Sequence, residues 1–122
     1  PPRSTPLYSS AASDVYKRQG KDNENNDPGK LKLLVEPQDS EIMDMCDNIT
    51  VAPWGDMIIC EDGKGTDYLL GIQPDGTIYK LAKNALNSKE FAGGVFSPDG
   101  SILFVNIQLP GFTLAITGPW QG

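Results

Sequence analysis

One turn signature recurs three times in this chain and sets its fold class. Ile49–Cys60, Leu70–Lys80 and Gly94–Val105 each hold a short apolar run, then a proline two residues before a glycine, then a second apolar run. Proline presets φ at the first central position of a turn, and glycine supplies a positive φ two residues on. The flanking Val, Ile, Phe, Tyr and Thr favour extended backbone. Each segment therefore reads as a β-hairpin, and the chain as all-β.

The spacing of the turns narrows the architecture. Pro53, Pro74 and Pro98 lie 21 and 24 residues apart, two units in 45 residues. A four-stranded propeller blade repeats every ~40–50 residues and holds two hairpin-like units. Thr50–Leu81 reads as most of one blade, Gly93–Ile107 as the opening of the next, and Leu31–Val35 as a strand of the blade before. A β-sandwich, whose turns recur every ~8–12 residues, is the competing architecture. The 122 residues suffice for one small domain, yet they supply only about two blades of the ~4–8 that close a propeller. Two isolated blades would expose apolar faces and unpaired strand edges. The expectation is a fragment of a larger β-propeller.

Three regions follow. Residues 1–19 mix Pro, Ser and Arg with no helix or strand period, no apolar core of a signal peptide and no twin arginine. They resemble a translated adapter or vector sequence, a native disordered tail being the alternative, and are set aside. Residues 20–30 are a polar loop ending in a Pro-Gly turn. Residues 31–122 form the partial propeller domain.

Composition limits the chemistry. The chain has no histidine, which removes Ser-His-Asp and Cys-His nucleophiles, an H-E-x-x-H zinc site and any histidine proton shuttle. Its net charge is −6, and setting aside residues 1–19 leaves 7 basic against 15 acidic residues. That balance argues against a nucleic-acid partner, which needs clustered Lys and Arg, and suits a collector of cations. No apolar run approaches the ~20 residues of a membrane-spanning helix, so no membrane partner is expected. Cys46 and Cys60 lack metal-ligand spacing. Cys60 reads as a small core residue, Trp54 and Trp120 as packing residues, and Asp56, Asp75 and Asp99 as turn residues. Asn48-Ile49-Thr50 fits a glycosylation sequon, a short and common match.

Carboxylates are the remaining first candidates for a site. Asp47 precedes the Ile49 strand, Glu61 and Asp62 follow the Met57–Cys60 strand, and Glu90 precedes the Phe91–Phe96 strand. In a propeller, loops from successive blades surround one channel, where such acids can converge on a hard cation that takes several oxygen ligands. Singly, each also reads as a solvated loop acid or a turn cap.

Residues of about 30–120 resemble the PhoX-type alkaline phosphatases. The resemblance is carried by Asp47–Gly55, Cys60–Gly63, Glu90–Gly93, Phe96–Gly100, and the tail Leu103–Gly111 through Ala115–Trp120, in family order. It implies a six-bladed propeller with a central calcium and iron site held mainly by carboxylates, in a periplasmic or secreted enzyme that hydrolyses small-molecule phosphate monoesters. By matching positions, Asp47, Asp62 and Glu90 are the implied metal ligands, with Glu61 a further candidate. Cys46 stands where the family commonly has proline. The iron-binding cysteine of the family lies upstream of the matching stretches, so neither Cys46 nor Cys60 takes that role. No catalytic residue is assigned, and the chain alone is expected to be inactive. The alternative function is a non-enzymatic β-propeller that binds a partner, with calcium serving structure only.

Overall fold

The computed structural model describes residues 32–120. They form seven strands: β1 (Cys46–Val51), β2 (Met57–Glu61), β3 (Tyr68–Ile72), β4 (Ile78–Lys83), β5 (Phe91–Phe96), β6 (Ile102–Ile107) and β7 (Phe112–Thr117). The first four pair in chain order as one antiparallel sheet, and β5–β7 pair in order as a second. Up-and-down sheets of about four strands, stacked face to face, are the unit of a propeller, so the described residues are all-β and propeller-like. The sequence regions before residue 32 lie outside the described residues.

The repeated turns fold alike. Gly55, Gly76 and Gly100 each donate their N–H to the carbonyl of the residue before the proline, at 2.9, 2.9 and 2.8 Å. Their φ values are 101°, 93° and 74°, a region costly for any side chain bearing a Cβ. Asp75 and Asp99 brace two of these turns. Asp75 accepts the Thr77 N–H at 2.9 Å, and Asp99 accepts the Ser101 N–H at 3.0 Å.

Alternation along the strands sorts side chains into two cores. Ile58, Cys60 and Leu69 of the first sheet meet Phe91, Leu103, Val105 and Ile107 of the second. This inter-sheet layer sets β5 beside β1 and β2. On the other face of the first sheet, Cys46, Ile59, Leu70 and Ile72 form a second cluster. Each fully buried Leu or Ile contributes about 1.5–3 kcal/mol.

That outer cluster corrects one expectation. Residues 32–35 form no strand. Instead, Leu34 and Val35 lie against the outer cluster, crossing the face of the sheet rather than its edge. A segment on a face finds no ladder to pair with; its apolar pattern reflects burial alone.

Two packing features also bear on the ends of the sheets. Trp54, on the β1–β2 turn, stacks on Trp120 with ring centroids 5.8 Å apart, and Phe96 meets Trp54 edge-on at 5.4 Å. These rings join the turn ends of the two sheets. Asp56 is more than a solvated turn residue: it is buried, and its carboxylate accepts the Tyr79 hydroxyl at 2.8 Å.

Candidate metal centre

The opposite ends of the strands carry the acids. Asp47 lies within β1, one residue into the strand rather than before it. It is also the extra residue of a β-bulge: Cys46 pairs with Glu61 and Asn48 with Cys60, leaving Asp47 no partner. A bulge re-aims the side chain it carries. The Asn48 side-chain amide donates to Asp47 Oδ1 at 2.7 Å. Asp62 follows β2, and its N–H donates to the Met45 carbonyl at 3.1 Å. Glu90 precedes β5, and its carbonyl accepts the Gln108 N–H at 3.2 Å.

The inter-sheet packing brings these three side chains together. Asp47, Asp62 and Glu90 each present a carboxylate oxygen within 4.8 Å of the others. Asp47 and Asp62 are exposed and Glu90 is half-buried. Partial burial, followed by the charges of Asp62 and Asp47, holds the Glu90 carboxyl above its ordinary range. A cation entering among the three carboxylates relieves this crowding of negative charge. Calcium–oxygen distances are about 2.3–2.6 Å, so oxygens on opposite sides of one ion stand about 5 Å apart. The donor set, all hard oxygen, and its spacing fit such an ion.

Glu61 is not in this group. Its carboxylate is buried and turned toward the outer face, where Oε1 accepts the Asp44 N–H and Oε2 the Tyr68 N–H, both at 3.0 Å. It lines a cavity of about 300 Å³ with Asp44, Asp67, Lys64 and Lys80. Burial pushes its pKa up. The buried Asp67 accepts the Gly63 N–H at 3.0 Å and closes the loop after Asp62. Sequence reasoning passed over Asp67; its signal is an acid closing a loop with glycines at 63 and 65.

The cysteines take no part. Burial above all pushes the Cys46 thiol up to about 12 and the Cys60 thiol up to about 11. Both are free and buried, and neither stands in the group formed by Asp47, Asp62 and Glu90.

No curated protein and no solved structure matches the chain. The family profile described as alkaline phosphatase PhoX matches residues 9–111, a span that starts inside the stretch set aside as adapter-like and includes all three clustered acids. The chain belongs to the PhoX alkaline phosphatase family.

Proposed function

We propose that Asp47, Asp62 and Glu90 hold a hard divalent cation, calcium in the first instance, in the metal centre of a phosphomonoesterase. The observation behind this reading is their convergence: three separate segments and both sheets bring carboxylate oxygens within 4.8 Å, in a chain matched by an alkaline phosphatase family. Iron enters the proposal through the family resemblance. The same resemblance supports small-molecule phosphate monoesters as substrates and a periplasmic or secreted setting.

Phosphoryl transfer proceeds through a loose transition state with charge on the equatorial oxygens, so positioning and electrostatics dominate. A bound cation supplies that neutralisation and a site for an oxygen nucleophile, without any histidine. The part played by these residues is to hold the charge in place. Asp47 is aimed by the bulge and its Asn48 bond, Asp62 by its backbone bond to Met45, and Glu90 by the start of β5. Without a cation, the three acids would repel a phosphate dianion.

Calorimetric titration of the chain with calcium tests the first half of this reading, with Asp47→Asn, Asp62→Asn and Glu90→Gln as controls. Binding that all three variants weaken is expected, and binding indifferent to them defeats the assignment. Turnover of p-nitrophenyl phosphate tests the second half. The chain alone is expected to bind the ion without turnover, because nucleophile positioning is assigned to none of its residues. A longer family member with the same acids should turn over substrate and lose that activity on metal removal. A second reading, structural calcium in a non-enzymatic propeller, draws on Glu90 coming from the second sheet and the other two acids from the first: one ion would staple the sheets. Metal-stabilised folding with no turnover in the longer protein would favour it.

A further inference from the structure

We infer that Glu61 is a positioning residue for the cation site, its buried carboxylate clamping together the segments that carry Asp47 and Asp62. The inference rests on the metal-centre reading and extends it to a residue on the other face of the sheet. Pairing between β2 and β3 ends at Cys60 and Leu69. Just beyond, the Glu61 side chain takes the Tyr68 N–H at 3.0 Å, and with its other oxygen the Asp44 N–H at 3.0 Å. Asp44 stands three residues before Asp47, and Tyr68 opens β3 at the far end of the loop that Asp62 begins.

Two further bonds complete the frame. Asp62 N–H to the Met45 carbonyl and Gly63 N–H to Asp67 Oδ1 fix the loop start against the approach to β1 and close the loop on itself. Only a carboxylate at position 61 satisfies both N–H groups with separate oxygens. A buried acid costs free energy unless it is hydrogen-bonded, and charge-assisted bonds to two backbone donors offset that cost. A glutamine of the same size keeps one acceptor and turns an amide donor toward the other N–H. Partners behind a metal ligand commonly set affinity by about 10–100-fold.

The test is terbium binding, with terbium as a luminescent calcium probe, to the full 122-residue chain and its Glu61→Gln variant. Binding is measured where circular dichroism shows both proteins folded. Luminescence lifetimes in H₂O and D₂O count the waters left on the ion. The variant is expected to bind about tenfold or more weakly, with more coordinated water, because a ligand no longer sits in place. A folded Glu61→Gln chain with unchanged affinity and water count overturns the clamp, and if Asp47→Asn still weakens binding, the metal-centre reading survives alone. A wild-type chain that binds no terbium overturns both. Should Glu61→Gln fail to fold, Glu61→Met, which fills similar space without a buried charge, gives the same comparison with the same two outcomes.

Discussion

Glu61 and Asp62 are adjacent in sequence and serve opposite faces of the first sheet. Glu61 turns outward to the backbone N–H groups of Asp44 and Tyr68. Asp62 turns inward, where its carboxylate meets those of Asp47 and Glu90. The period of two along a strand separates them: Cys60, two residues before Asp62, belongs to the inter-sheet core. One face holds the clustered charge and the other braces the backbone beneath it.

Glu90→Gln should act in opposite directions with and without metal. In chelator the substitution removes one of three crowded carboxylates, and the melting temperature should rise. In saturating calcium it removes a ligand, and affinity should fall on the order of tenfold or more. Melting curves in chelator and in calcium check both signs. Destabilisation in chelator would mean that Glu90 is held by favourable contacts rather than crowded by its neighbours.

The pH profile of the metal-free chain follows from the same groups. Burial holds Glu61 and Asp67 above the ordinary carboxyl range, and burial with the charges of Asp62 and Asp47 does so for Glu90. The folded chain binds these protons more tightly than the unfolded chain. Their contribution is therefore fully present below the ordinary carboxyl pKa of about 4 and lost as pH rises through the raised values. Asp99 works the other way: the Ser97 hydroxyl and then the Ser101 N–H and hydroxyl lower it to about 2. Its contribution is present above the ordinary aspartate range and lost as pH falls toward that value. The melting temperature in chelator should peak in weak acid and decline toward neutrality, and calcium should flatten the decline because its ligands must be ionised. A melting temperature that climbs from pH 4.5 to 7 in chelator contradicts this.

The turns were legible in the sequence because proline and glycine dictate backbone angles with little help from tertiary structure. Pro53, Pro74 and Pro98 thus mark the hairpins β1–β2, β3–β4 and β5–β6. Residues 32–35 depart from the strand that their apolar pattern predicts, because such a run does not reveal whether it pairs at an edge or lies on a face. Strand-end position nominates Asp47, Asp62 and Glu90 and family resemblance selects them, but separations of 15 and 28 residues along the chain carry no distance information. The bulge at Asp47 was invisible, because no special residue type marks it. Glu61 enters as a further candidate beside the family-matched acids, although alternation along β2 sends its side chain to the opposite face from Asp62.

Gly71→Ala should cost about 1–3 kcal/mol through overpacking. Gly71 faces Tyr79 across β3 and β4, and an added Cβ would strike the Tyr79 ring. The ring has no easy retreat, since its hydroxyl is bonded to the buried Asp56. Tyr79→Phe leaves the ring in place and removes that bond to a buried carboxylate, at about 1.5–3 kcal/mol. Urea denaturation of each variant checks these costs. A neutral Gly71→Ala would show that the ring swings away freely.

Cys46 and Cys60 should be inert toward Ellman's reagent in the folded chain and reactive once it unfolds. They are 1% and 2% exposed, and their thiols sit near 12 and 11. At pH 8 the attacking thiolate is scarce and the reagent has no path to it. Both thiols should appear together in denaturant, with one midpoint, because Cys46 packs in the outer cluster and Cys60 in the inter-sheet core of the same β1–β2 pair. Rapid labelling of one thiol under native conditions would show that β1 opens away from β2, and Asp47, carried on β1, would then be too loosely held to keep its place beside Asp62 and Glu90.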